Sequence, residues 1–156
     1  MTPLIAIAIT TGILSGIWAW FSVAFGLVTW IGFIGCTSYF ASQGCWRSLI
    51  TTWLTNTTGV FWGMLLIKGA DLWGQGVFSF MMVAIVAFMM CFQGKQRWLS
   101  YIPGTFAGCC IAFGSNGAWQ IAIPSLLVGA LFGFAMKQSG LLLFKIWPAR
   151  FAKKGD

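Results

Sequence analysis

The sequence predicts an all-α membrane protein: six transmembrane helices arranged as two inverted three-helix repeats, with both termini cytoplasmic. Three observations predict it. The chain is 59 % hydrophobic and 7 % charged, with a mean hydropathy of +0.88, whereas soluble domains carry about 25 % charged residues. Its apolar residues fall into six runs close to the roughly 20 residues a bilayer-crossing helix needs. A fourteen-residue stretch occurs twice, at 33–46 and 106–119.

The runs follow in order. Residues 4–22 open the chain, with neither a basic segment before them nor a small-residue cleavage site after, which predicts a retained first span. A short Ala-Phe-Gly turn leads to the second run, 27–43. The third, 49–67, follows Gly44-Cys45-Trp46-Arg47-Ser48; the fourth, 76–92, follows Lys68-Gly69-Ala70-Asp71. The fifth, 98–114, comes after Gln93-Gly94-Lys95-Gln96-Arg97, and the sixth, 119–136, after Ser115-Asn116-Gly117-Ala118. From Lys137 to Asp156 the chain turns basic, with Trp147 amid Lys and Arg. This tail suits either an amphipathic interfacial helix with snorkelling cations or an extension of the sixth span.

Cations set the orientation. With the N-terminus inside, the cytoplasmic segments hold Arg47, Lys95, Arg97, Lys137, Lys145, Arg150, Lys153 and Lys154, and the outer loops hold only Lys68. Five or seven spans would spoil this bias. The basic tail also predicts contact with anionic lipid headgroups. Nucleic acid is not expected as a partner, because no soluble basic domain exists to hold it.

The repeated stretches read FIGCTSYFASQGCW and FAGCCIAFGSNGAW, identical at seven of fourteen positions. The identities include Gly35/Gly108, Cys36/Cys109, Ser42/Ser115 and Trp46/Trp119. With a shift of three residues, Gly59-x-x-x-Gly63 falls on Gly129-x-x-x-Gly133, and Asn56 falls on Leu126. Repeats matter to membrane mechanism as well as to fold. Three spans per half place the second half upside down. The expected units are residues 1–75, 76–136 and the tail 137–156. The small residues Gly35, Cys36, Gly59, Gly63, Gly108, Cys109, Gly129 and Gly133 form the expected packing seam. GxxxG spacing serves contacts within one chain or between copies, so a homo-oligomer stays open. The eight Trp near run ends, Trp18 among them, read as an interfacial belt.

Catalytic chemistry has little to work with. The chain has no His and no Glu, and its acids are Asp71 and Asp156. No acid–base pair or nucleophile triad can be assembled, so no enzyme is expected. Without His or a CxxC pair the five Cys predict helix packing rather than a metal centre, and no cofactor is expected. Ion-coupled carriers usually place acids or His in the membrane; their lack favours passive passage of a neutral solute.

The third run is the most polar, with Thr51, Thr52, Thr55, Asn56, Thr57 and Thr58. Helical spacing puts Thr52, Asn56, Gly59 and Gly63 on one face. Either this stripe lines a solute path, or its hydroxyls bond backbone carbonyls one turn back and Asn56 joins helices. Ser38, Ser125 and Asn116 are the other candidates for such a path. Pro103-Gly104 and Pro124 mark either helix breaks or helix first turns.

The runs AITTGILSGIW (7–17), GFIGCTSYFA (32–41), LSYIPGTFAG (99–108) and PSLLVGALFGFAMKQSGL (124–141) resemble the YcdZ family of small enterobacterial inner-membrane proteins, a domain of unknown function. The resemblance covers about residues 4–141 and implies a bacterial inner-membrane location and a multi-span helical fold. It brings no activity or substrate. The residues themselves predict a channel or facilitator for a small neutral solute, with a non-transporting scaffold or accessory subunit as the alternative.

Overall fold

A computed structural model describes the backbone of residues 2–74 and 76–152, and the side chains of these except Trp73 and residues 147–152. Among the described residues the chain is all helical, with six α-helices and no strand.

Helix α1 spans Pro3–Ala24. Thr2 caps it by accepting from the Ile5 N–H, and Pro3 fills the first position, where no N–H is needed. Helix α2 covers Thr29–Ala41 and α3 covers Trp46–Trp73. Helix α4, Val77–Phe92, runs into two 3₁₀ turns, Gln93–Lys95 and Arg97–Leu99. Helix α5 is Ile102–Gly114, and α6 runs from Trp119 to Ala152. The turn between them uses Asn116 and Gly117 at φ 50° and 76°, the left-handed conformation that Asn and Gly tolerate best.

Among the described residues three helical stretches are long and apolar enough to cross a membrane: Pro3–Ala24, Val77–Lys95 and Trp119–Ile146. Helix α3 has 28 residues, but its Thr and Asn residues make it more polar. Helices α2 and α5 have 13 residues each, about 20 Å of helix against a hydrocarbon core of about 30 Å. They are shorter than their apolar runs because Leu27 and Val28 form an extended lead-in to α2, and Trp98 and Leu99 belong to a 3₁₀ turn. Lys68 and Asp71, expected in a loop, continue α3 to its end at Gly74. Nor does Lys137 break α6, which extends the sixth span into the tail; residues 153–156 lie outside the described part, as do the side chains of Trp147 and Arg150.

Helix α2 packs along α6 and α3 along α5, while α1 flanks α6 and α4 flanks α3. Exchanging the halves of the chain converts each of these pairs into another. Burial follows the same rule. Residues 31–39 and 104–112 show one order of buried, half-buried and exposed positions, and so do 51–64 and 121–134.

Glycine lets the paired helices touch main chain to main chain. A Cβ on Gly35 would overlap the Leu126 carbonyl, and one on Gly108 would overlap the Asn56 carbonyl. Gly129 meets the backbone of Gly32, and its counterpart Gly59 meets that of Thr105. Gly133 lies on Cys36, as Gly63 lies on Cys109. Close approach gains dispersion contacts, which drive helix association where no hydrophobic effect acts between lipid and protein. Between the pairs, Val60 joins Ile31, Ile111, Ala122 and Leu126 in one buried cluster. The Trp53 indole N–H donates to the Leu127 carbonyl at 3.0 Å, tying α3 to α6.

Candidate functional site

The polar face of α3 lies inside this bundle: Thr52 and Thr55 are 0 % exposed and Asn56 is 1 % exposed. Most of its threonines are satisfied within the helix. Thr55 Oγ1 donates to the Thr51 carbonyl at 2.8 Å, Thr58 to that of Thr55 at 3.0 Å, and Thr51 to that of Arg47 at 3.1 Å. These bonds satisfy each hydroxyl at home.

Thr52 and Asn56 differ. The Thr52 hydroxyl and both polar atoms of the Asn56 carboxamide are buried and make no hydrogen bond. Apart from Thr11 on α1, they are the only such side-chain atoms among the described residues. One helical turn apart, they share a face. Together they offer a hydroxyl, an amide donor and an amide acceptor. Each buried polar group left unpaired costs about 1–3 kcal/mol, so a native chain keeps such groups for a reason. The matching positions in the other half, Ala122 and Leu126, belong to the apolar cluster. The packing therefore accepts apolar residues in this place, and polarity is specific to α3.

The remaining candidates lie in different settings. Ser38 on α2 is buried, at 5 % exposure. Ser125 is fully engaged: it donates to the Ile121 carbonyl at 2.7 Å and accepts from the Val28 N–H at 3.0 Å, closing the start of α2. Asn116 is exposed on the turn before α6, whereas Asn56 is buried. Pro103 is the second residue of α5, Gly104 is buried against the Thr55 hydroxyl, and Pro124 is exposed in the second turn of an unbroken α6. Cys36 and Cys109 occupy the glycine seams; Cys36 Sγ lies 3.5 Å from Met136 Sδ.

Two residues of consequence lack any sequence signal. Trp18, expected at the interface, is 1 % exposed, because its indole covers Gly32 and donates to the Thr29 carbonyl at 3.1 Å. Gln93, expected in a loop, bridges the Trp62 indole N–H at 3.0 Å and the Thr105 hydroxyl at 2.9 Å, joining the first 3₁₀ turn to α3 and α5.

Residues 8–141 match the model of the family described as protein of unknown function, DUF1097. The chain is 49 % identical over 155 residues to inner membrane protein YcdZ of Escherichia coli K12, covering 98 % of this chain and 93 % of that protein. It is 48 % identical over 145 residues to inner membrane protein YcdZ of Salmonella typhimurium, covering 92 % and 91 %. It is 30 % identical over 152 residues to uncharacterized protein YahC of E. coli K12, covering 90 % and 92 %. No solved structure matches the chain. Relatives named as inner membrane proteins and the chain's own apolar helices agree on an integral membrane protein.

Proposed function

The chain belongs to the DUF1097 family, and from that premise we propose that it is a multi-pass inner-membrane facilitator for a small neutral solute, with no catalytic activity of its own. The observation that carries this is the buried Thr52–Asn56 pair, whose donor and acceptors meet no protein partner. A passing molecule that both donates and accepts hydrogen bonds would satisfy them, and among the described residues no charged side chain is buried to demand a charged cargo.

Its proposed frame is six crossings, N-in and C-in, built from two inverted halves. The exchange of helix pairs and the matching burial orders support that frame. So does α3, where Arg47 and Lys68 stand about 32 Å apart along the axis, close to one hydrocarbon thickness. In this frame α2 and α5 cross with the help of non-helical backbone. Such backbone is tolerated at depth where protein satisfies it. Ser125 does so for Val28, and the Tyr39 hydroxyl for the Gly44 carbonyl at 2.7 Å.

The alternative is a non-transporting scaffold or accessory subunit. It draws on the apolar groove of about 430 Å³ between α3 and α4, lined by Trp62, Leu65, Phe78, Met82 and Val86. Stopped-flow light scattering of proteoliposomes separates the two. Faster entry of water, small amides or small polyols than into empty vesicles supports the facilitator. Equal rates across that panel support the scaffold.

A further inference from the structure

At one end of the bundle, the start of α3 and the second 3₁₀ turn border an open cavity of about 940 Å³. Arg47 comes from the first turn of α3 and Arg97 from the 3₁₀ turn, and both line it. Among the described residues no carboxylate is at hand to neutralise them. Asp71, the only acid among the described residues, lies at the far end of α3, about 36 Å along the axis from Arg47. The neighbouring cation Lys95 is turned elsewhere, with its ammonium 4.4 Å from the centre of the Phe92 ring.

The remaining lining favours negative charge as well. Cys45 precedes the first turn of α3, so the cavity also faces the positive end of a 28-residue helix. Hydrogen bonding from the Ser48 backbone N–H, and then from its hydroxyl, holds the exposed Cys45 thiol below its ordinary pKa. Trp98, 60 % exposed, also borders the cavity, and Trp is enriched where lipid headgroups meet acyl chains. Nor does the helix start require Arg47. The repeated stretch ends in Trp46-Arg47 in one half and Trp119-Gln120 in the other, so the same helix start is built without a charge.

We propose that this cavity is a phosphate-binding site in which the Arg47 and Arg97 guanidiniums clamp one phosphate group at the N-terminus of α3. Two guanidiniums from separate elements suit the several oxygens of a phosphate, each giving charge-assisted bonds. A phospholipid headgroup and a free phosphate present the same chemistry. Neither depends on whether the chain transports a solute.

Isothermal titration calorimetry of the full chain in detergent tests this, with inorganic phosphate and short-chain phosphatidylglycerol as separate titrants. Saturable binding of at least one is expected. R47Q and R97Q should each weaken it about ten-fold or more, R47K and R97K should weaken it less, and K145Q on α6 should leave it unchanged. Binding of phosphatidylglycerol alone identifies a lipid site; binding of inorganic phosphate identifies a site for the free ion. Circular dichroism checks helix content, and if a Gln variant loses it the Lys variant is used in its place. No saturable binding of either titrant, unchanged binding in R47Q and R97Q, or an equal loss in K145Q would overturn the site.

Discussion

Gly108 on α5 lies directly against the main-chain carbonyl of Asn56 on α3. The seam thus pins the backbone from which the unpartnered carboxamide projects, so the most tightly packed part of the bundle also fixes its most polar buried group. Strain at this seam would be felt at Asn56. Gly108→Val should cost about 1–3 kcal/mol or more, because no flexible side chain is there to give way. Gly35→Val, against the Leu126 carbonyl, should cost a similar amount. Gly16→Ala on α1 meets nothing within 4 Å and should be neutral or stabilising by about 0.5–1 kcal/mol. Thermal denaturation in detergent checks all three.

How far the sequence reveals this arrangement differs from element to element. The glycine seams are legible because small residues at repeated offsets have one main use in a bilayer, which is to let backbones meet. The α3 stripe is legible because Asn56 is costly against lipid. The short lengths of α2 and α5 are not, since hydropathy counts Leu27 and Trp98 as spanning whether they are helical or extended. The end of α3 is hidden for the opposite reason: Lys68 and Asp71 look like a loop but do not break a helix. The roles of Trp18 and Gln93 depend on what lies across the bundle. A lone Trp or Gln gives no hint of the glycine or hydroxyl that it will meet.

Gln93 offers a prediction of its own. Its carboxamide accepts from Trp62 and donates to Thr105, which is 0 % exposed. Gln93→Leu would strand the Thr105 hydroxyl and the Trp62 N–H and should destabilise by about 1–3 kcal/mol. Gln96→Leu, in the exposed connection nearby, should change little. The same denaturation assay compares them.

Thiol labelling tests the orientation. Cys45 is exposed before α3, and the N-in frame puts it in the cytoplasm. A membrane-impermeant maleimide should label it in inside-out vesicles and not in intact spheroplasts. With Cys45 replaced by Ser, Ala118→Cys should show the reverse. Labelling of both from one side would contradict two inverted halves. The lowered Cys45 pKa favours its thiolate, so alkylation should reach half its maximal rate at a pH below that of an ordinary exposed thiol. Cys36 and Cys109, buried in the seams, should react slowly with aqueous reagents.

The central claim is that Asn56 is kept for passage and not for stability. Leu already occupies the matching place at position 126, where it is 1 % exposed in an apolar cluster. Asn56→Leu should therefore preserve the fold, and removing the unpaired carboxamide should stabilise the chain by about 1–3 kcal/mol. The decisive measurement is stopped-flow solute entry into proteoliposomes carrying the wild-type chain or Asn56→Leu at equal protein density. The expected result is entry above the empty-vesicle rate for the wild-type chain and at that rate for a stably folded Asn56→Leu. Equal entry through both proteins would contradict a path at Asn56.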